Sequence, residues 1–317
     1  MSDVTTTLAR NAAPQRHPRG FMARLADNPR ALSRIFLAPA LIYIFGLVGL
    51  PFFLSLLYSF TSVTVASQDF TFRWFGNYIA VTKNSAFWQA LSNTVLYTVA
   101  AQFTVLVIAN IMALALVKPF RGKWIVRLLI LMPFVAPISL GTLSWLWMLD
   151  STYSVFNYVL QGIGFLAPHE RLFWLGQPGL ARLSIIMINV WRTLPLATVI
   201  LLAGLGSIPQ DIQDAALVDG ARFWRRHLQV TLPMTLPINI VALLFGIMFT
   251  STDMVVIYVL TRGGPMNSTH TLASLAYYTG VTAGDLAQGA ATALFLFPLL
   301  AAVAVAMLGI ARRSEVT

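Results

Sequence analysis

The sequence predicts an all-α polytopic membrane protein with six transmembrane helices. Of its 317 residues, 57% are hydrophobic and 10% are charged, whereas soluble domains carry about 25% charged residues. Long stretches without Lys, Arg, Asp or Glu recur along the chain, and a helix needs about 20 apolar residues to cross a bilayer core. The predicted spans are residues 36–60, 91–117, 128–149, 183–206, 236–260 and 286–310.

Four of these spans contain no charged residue at all. The fourth span contains Arg192 and the fifth contains Asp253. A charge inside a span costs roughly 2.5 to 3.5 kcal/mol on insertion scales, so both residues are candidates for function. They are expected either to pair with each other or to line a cavity.

The positive charges predict the topology and the domain layout. Fifteen of the 21 Lys and Arg residues fall in the two termini and in the loops 118–127 and 207–235, which the positive-inside rule places in the cytoplasm. The net charge of +10 therefore reports membrane orientation, not a nucleic-acid partner. We expect a multi-pass protein of the bacterial inner membrane, in contact with lipid, with both termini cytoplasmic. The predicted domains are a tail over 1–34, a six-helix domain over 35–312 and a C-terminus over 313–317.

Several chemistries are excluded by missing residues. The chain has no cysteine, so disulfides and thiolate sites are unavailable. No G-x-x-x-x-G-K-[ST] phosphate loop occurs. The four histidines are scattered among the tail and three different loops, so we expect no metal site. No catalytic constellation is visible, and we expect a protein that is not an enzyme, with no cofactor bound by this chain.

The 207–235 loop is predicted to form a helix, a turn and a second helix outside the bilayer. Ser207 and Gln210 have the spacing of a capping box, which places a helix start there. Gly220 supplies the turn, and residues 221–230 can form the second helix.

Two interpretations of this element follow from the residues alone. Ala215 and Ala216 present almost no side chain, so a neighbouring protein can approach the helix closely. Alternatively, the loop packs on its own bundle while Arg222, Arg225 and Arg226 touch lipid phosphates.

The loop resembles the signature of membrane subunits of type I ABC importers, a fold also called MetI-like. That signature is Glu-Ala-Ala, three residues, Gly, nine residues, Ile, one residue, Leu-Pro. Its places are filled here by Asp214, Ala215, Ala216, Gly220, Val230, Leu232 and Pro233. The resemblance implies that the loop is a cytoplasmic coupling helix for an ATPase, with contacts by Asp214, Ala215, Ala216, Asp219, Gly220, Ala221 and Arg222.

A second resemblance narrows the class. The stretch 258–265, Tyr-Val-Leu-Thr-Arg-Gly-Gly-Pro, looks like the fifth-span exit of carbohydrate permeases of the maltose MalF and glycerol-phosphate UgpA type, and 189–192 resembles their fourth span. The resemblance implies sugar import by alternating access with four kinds of partner. These are a second, homologous permease subunit in a heterodimer, two copies of an ATP-binding subunit that bind Mg-ATP, a periplasmic solute-binding protein, and membrane lipid.

Polar residues of the spans form the predicted substrate path. Sugar hydroxyls need neutral donors and acceptors together with aromatic faces. The candidates are Asn189, Trp191, Arg192, Thr250, Asp253, Tyr258, Gln102 and Asn110. Gln102 and Asn110 also share a row with Thr94 and Thr98 in the second span, and for this row hydrogen bonding between helices is the alternative.

Two other functions compete with ATP-driven import. An ion-gradient-driven secondary transporter would use Arg192 and Asp253 as a coupling pair. An intramembrane hydrolase would need a nucleophile with a positioned base or a metal pair. Within the importer class, malto-oligosaccharides, trehalose, modified or sulfonated monosaccharides and glycerol phosphate are all compatible substrates.

Overall fold

A computed structural model describes residues 29–67 and 69–315 of the chain. Within these ranges the regular secondary structure is helical apart from an isolated bridge between Thr61 and Phe72, so the predicted all-α class is confirmed. Contacts divide the chain into two units, Met1–Leu54 and Ser55–Thr317. Most of the predicted tail over 1–34 lies outside the described ranges, but the first helix already begins at Pro29.

Within the described residues, four helices are long and apolar enough to cross a membrane as they stand, and two bent helix pairs bring the count to as many as six. The first pair falls on the third predicted span, whereas the second, Phe223–Met234 with Leu236–Ser251, bends by 71° and begins in the 207–235 loop before the fifth predicted span. The helices of the first three spans are α1 (Pro29–Ile44), a π-helical segment (Phe45–Gly49), α2 (Leu50–Ser59), α3 (Gly76–Lys83), α4 (Ser85–Val117), α5 (Lys123–Val135) and α6 (Ile138–Met148).

The remaining helices lie in the second half of the chain. Its helices are α7 (Val155–Gly162), α8 (Pro178–Gly206), α9 (Gln210–Val218), α10 (Phe223–Arg226), a π-helical segment (His227–Thr231), α11 (Leu232–Met234), α12 (Leu236–Ser251), α13 (Val255–Leu260), α14 (Leu272–Tyr277), a π-helical segment (Tyr278–Thr282), α15 (Leu286–Leu294) and α16 (Leu296–Glu315).

The third span is bent, which the sequence interpretation did not foresee. Helices α5 and α6 meet at an angle of 95° across Ala136 and Pro137. Proline disfavours helical geometry in the residue before it, and Ala136 is extended at φ −63° and ψ 138°. The span predicted as continuous over 128–149 is therefore two short helices.

The fifth span is interrupted near its polar residues. Helix α12 ends at Ser251 and α13 begins at Val255. The Asp253 carboxylate accepts hydrogen bonds from the backbone N–H groups of Val255 at 2.9 Å and Val256 at 3.4 Å, at the start of α13. The break thus gives Asp253 two backbone donors that a continuous helix would not offer.

Small residues bring the second, fourth and fifth spans close together. Ala109 and Ala113 of α4, Ala197 of α8 and Ala242 of α12 are all buried in one cluster. Short side chains allow neighbouring membrane helices to approach closely and gain van der Waals contact. These three helices form the frame that holds the polar site.

Candidate functional site

The two charges of the spans lie side by side. Arg192 Nη1 is 3.3 Å from Asp253 Oδ2, and the side chains are 24% and 2% exposed. Neither of these two atoms makes a hydrogen bond with any other group of the described chain. The contact is therefore a charge pairing in which each ion lowers the cost of burying the other.

The second and fifth spans are joined by direct side-chain hydrogen bonds. Asn110 Nδ2 donates to Asn239 Oδ1 at 2.8 Å, and Gln102 Nε2 donates to Thr250 Oγ1 at 2.8 Å. Further along, the hydroxyls of Thr98 and Ser251 are 3.0 Å apart. The hydrogen bonding between helices that was the alternative for this row is confirmed.

The same row continues beyond the end of α12. Thr94 Oγ1 accepts a hydrogen bond from the backbone N–H of Leu272 at 2.9 Å. Asn93 Nδ2 donates to the backbone carbonyls of Ser268 at 2.8 Å and His270 at 2.9 Å. We call this continuous row the polar seam; its members are Asn93, Thr94, Thr98, Gln102, Asn110, Asn239, Thr250 and Ser251.

Gly246 permits the closest approach along the polar seam. A Cβ atom at this position would lie 1.9 Å from Gln102 Oε1, so no larger residue fits without moving the amide. Gly246 lies four residues before Thr250, and Asn239 lies eleven before it, so all three share one helical face. That spacing is a sequence signal from which Asn239 and Gly246 could have been identified. We find no such signal in the sequence for Ser251 or Asn93.

A small cavity lies beside the charge pair. Gln102, Arg192, Phe134 and Phe249 are among the residues that line it. Its internal space is about 20 Å³, which is room for about one water molecule. A sugar cannot be enclosed by this chain alone in the conformation described.

The remaining candidates for the substrate path lie apart from this cluster. Trp191 packs on the third span, with its ring centroid 5.6 Å from that of Trp145. Asn189 is buried, and its side-chain Nδ2 donates to the Ile185 carbonyl one turn earlier. Its side-chain Oδ1 has no hydrogen-bond partner among the described residues. Tyr258 is 44% exposed beyond the break in the fifth span.

The coupling loop adopts the predicted helix, turn and helix. Gly220 has φ +73°, a conformation that favours glycine, and joins α9 to α10. The predicted capping box is wrong, because the Ser207 hydroxyl donates to the Gly204 carbonyl and α9 has no side-chain cap. Ser207 is therefore the C-cap of α8, because it directly follows Gly206, the last residue of that helix.

Most of the predicted coupling residues are accessible. Asp214, Ala215, Asp219, Gly220 and Arg222 are exposed, Ala221 is half-buried and Ala216 is buried. Large apolar side chains of the same loop are exposed as well, including Val218 at 88% and Trp224 at 67%. An exposed apolar patch with a charged rim is typical of a surface that binds another protein.

A groove of about 300 Å³ lies between this loop and the ends of the spans. Lys118, Arg226 and His227 contribute basic groups to its lining. Burial lowers the pKa of His227 below its usual value. His227 Nδ1 is buried without a hydrogen-bond partner among the described residues.

The structure offers no metal site within residues 29–67 and 69–315, where no group of three potential protein ligands is found. His17, one of the four histidines of the sequence, lies outside those ranges.

The apolar helices, their packed frame and the exposed loop are those of a polytopic membrane protein. Residues 74–315 match the family described as binding-protein-dependent transport system inner membrane component, and the chain belongs to that family. It is accordingly an inner-membrane permease subunit of an ABC transport system with the type I importer fold.

Individual relatives extend the comparison. The chain is 33% identical over 287 residues to the sulfoquinovosyl glycerol transport system permease protein SmoG of Agrobacterium fabrum, covering 90% of this chain and 92% of that one. It is 33% identical over 238 residues to the trehalose/maltose transport system permease protein MalF of Thermococcus litoralis, covering 74% and 78%. A chain in the crystal structure of a bacterial alginate ABC transporter, in complex with an alginate pentasaccharide-bound periplasmic protein, has the same fold, with a TM-score of 0.76 at 19% identity over 91% of this chain and 97% of that one.

Proposed function

We propose that this chain is one of two different permease subunits of an ABC importer that carries a sugar or sugar derivative into the cytoplasm. The names of the two relatives specify sulfoquinovosyl glycerol and trehalose or maltose. The transporter with the same fold imports the acidic polysaccharide alginate. All of these compounds are carbohydrates, which supports a carbohydrate substrate delivered by a periplasmic binding protein.

In this proposal the chain moves the sugar but hydrolyses nothing. Its sequence lacks a phosphate loop, so Mg-ATP would be bound by two copies of a partner subunit. Both termini and the coupling loop would face the cytoplasm, as the distribution of Lys and Arg favours.

The coupling role is supported mainly by the exposure of the loop. Asp214, Ala215 and Gly220 are all exposed, and Ala216 is the one buried member of the predicted set. An ATP-binding subunit can therefore contact the outer face of α9 at close range. When two such subunits close on ATP, they would pull this face with them.

The base of the loop is built to pass that movement to two spans together. Gly204, near the end of α8, packs so closely on Ile238 of α12 that a Cβ atom there would lie 2.6 Å from Ile238 Cδ1. Because close-packed elements shift as units, a displaced loop would tilt the fourth and fifth spans together. The charge pair joins the same two spans deeper in the bilayer.

The substrate path would be completed by the second permease subunit. Gln102 and Arg192, which line the small cavity, would form one wall of the proposed path. Their partners Thr250 and Asp253 would belong to the same wall. Asn110, Asn189, Trp191 and Tyr258 would line its continuation. A second chain that faces this wall would enclose the volume that a sugar requires.

Uptake by the assembled transporter in proteoliposomes tests this function. Radiolabelled sugar should accumulate with ATP inside and the binding protein outside, and uptake should stop when ATP is omitted. Uptake that persists without ATP in the presence of a proton or sodium gradient would instead establish a secondary transporter, and hydrolysis of a substrate by the purified chain would establish an enzyme.

A further inference from the structure

Another cavity lies at the end of the fifth span that is distant from the coupling loop. Helix α12 rises about 24 Å from its start near that loop, and the cavity opens beyond its far end. We call it the tyrosine cleft; its lining is largely apolar but includes the polar side chains of Tyr258, Arg262, His270, Ser274, Tyr277, Tyr278 and Thr282.

The tyrosine cleft has an uncompensated positive charge. Between Asp253 and Asp285, Arg262 is the only Asp, Glu, Lys or Arg in the sequence. Arg262 is exposed, and no ion pair to it is found in the described part of the chain. Asp253 itself is already occupied by Arg192. A cation in this position favours an anionic ligand.

A buried histidine adds an unused polar atom to the cleft. His270 is 3% exposed, and its Nε2 has no hydrogen-bond partner among the described residues. Its Nδ1 lies 3.0 Å from the Ser274 hydroxyl. Because buried polar atoms are normally hydrogen-bonded, an unpaired Nε2 beside a cavity points to a group that arrives from outside.

The backbone is shaped to hold this histidine against the cavity. Gly263 has φ +89°, and a Cβ atom there would lie 2.0 Å from His270 Nε2. Only glycine suits both the conformation and the close contact. The His270 ring is therefore held in place by Gly263, the residue that follows Arg262 in the chain. Arg262 and His270 both line the tyrosine cleft.

The aromatic rings present faces of the kind that bind sugars. Tyr258 and Tyr277 stand edge to face with ring centroids 5.3 Å apart, and Tyr258 and Tyr278 are 44% and 45% exposed. The cavity holds about 90 Å³, which is space for a few water-sized groups. One charged substituent fits inside, while a sugar ring would rest outside on the exposed tyrosines.

We propose that the tyrosine cleft is an entry subsite that binds the carboxylate or sulfonate of an acidic sugar through Arg262 and His270. This inference rests on the proposed function and adds the chemical class of the substrate. The sugar would contact this subsite before it reaches the wall formed by Gln102 and Arg192. The charge of Arg262 would select anionic over neutral sugars at that step.

Fluorine NMR on the assembled transporter tests the subsite directly. Tyr258 is replaced by 3-fluorotyrosine, and glucuronate or glucose is titrated as a probe. Glucuronate should shift the resonance saturably, and glucose should leave it unchanged. In an Arg262→Gln variant the half-saturating glucuronate concentration should rise at least about tenfold, because a charge-assisted hydrogen bond is lost. In the matched control, Arg73→Gln, an exposed arginine of a different loop, the titration should be unchanged.

The alternatives give different results in the same preparation. An equal response to glucose and glucuronate, or a response that survives Arg262→Gln, would overturn the inference. So would a resonance that responds only to lipid composition, which would make the tyrosines part of an interfacial belt. ATP-driven uptake without any response at residue 258 would refute the subsite alone, whereas a normal response without ATP-driven uptake would refute the proposed function and leave the site standing.

Discussion

The polar seam and the coupling loop differ in how far each is complete within this chain. In the polar seam, Gln102, Thr250 and Thr98 are buried and hydrogen-bonded across two helices. In the coupling loop, Trp224 and Val218 are exposed apolar side chains. The polar groups of the seam find their hydrogen-bond partners within this chain, whereas the coupling loop leaves an apolar surface that another protein can cover.

This difference predicts which measurement responds first when each region is changed, although Gln102, Asn110 and Thr250 of the seam also belong to the proposed substrate path. Breaking the seam removes hydrogen bonds and packing that the chain supplies itself, so the loss should appear as instability. Changing the loop removes contacts that only a partner would make, so the loss should appear in transport while the protein stays folded.

The largest expected effect is on transport, from Gly220→Val. Gly220 has φ +73° with nothing near its missing Cβ, so a β-branched residue strains the turn by roughly 1 to 2 kcal/mol without a clash. The altered turn should redirect α9 and nearly abolish sugar uptake while membrane insertion and ATP hydrolysis by the partner continue. Uptake and hydrolysis are measured together in proteoliposomes.

A matched control separates the effect of the site in the coupling loop from the effect of backbone strain. Gly122 has φ +80°, and a Cβ atom there would also have nothing within 4 Å, in a different loop. Gly122→Val should therefore carry the same backbone cost and keep its uptake. If Gly220→Val transported normally, the loop would have no coupling role.

The next largest effect is expected on stability, from Asp253→Asn. This change leaves Arg192 without its partner, a loss of up to about 3 kcal/mol, below that of a fully buried pair because the Arg192 side chain is 24% exposed. The double variant with Arg192→Gln should recover much of this loss. Thermal unfolding of the four proteins gives the coupling energy. Strictly additive losses would show that the pair contributes no stability.

A smaller effect is expected from Gly246→Ala in the polar seam. The new methyl group would overlap the Gln102 amide and break its hydrogen bond to Thr250, at a cost of about 1 to 3 kcal/mol. Gly206→Ala is the control, since nothing lies within 4 Å of its Cβ position. Its unfolding temperature should stay unchanged or rise. Equal unfolding temperatures for the two variants would mean that Gly246 does not secure the seam.

The smallest effect is expected from pH. Burial holds the pKa of His227 below that of the unfolded chain, so the unfolded state binds more protons and stability falls as pH drops below about 6.5. The hydrogen-exchange protection factors of residues 223–231, which correct for the slower intrinsic exchange of amides at lower pH, should therefore fall between pH 7.5 and 5.5, and His227→Gln should remove this fall. A fall of the same size in that variant would assign it to other groups.

The sequence predicted what depends on composition and spacing, and missed what depends on local backbone geometry. Apolar stretches with few or no charges indicated a polytopic helical membrane protein, and the Gly220 turn followed from one residue. The bend at Pro137 and the break before Val255 were missed because apolar content is the same in straight and broken helices. Likewise, Arg192 and Asp253 were identified as charges in spans, but whether they pair depends on helix rotation, which no local pattern contains.

The proposed coupling requires contact between the coupling loop and an ATP-binding subunit. Crosslinking measures that contact directly. The chain has no cysteine, so Ala215→Cys places a single photoreactive maleimide on the exposed face of α9, and Tyr153→Cys, at an 80% exposed site in the loop between the third and fourth spans, serves as the control. We predict a crosslink from position 215 to the ATP-binding subunit that changes in yield with ATP, and none from position 153. Labelling of lipid alone from position 215 would contradict the coupling role.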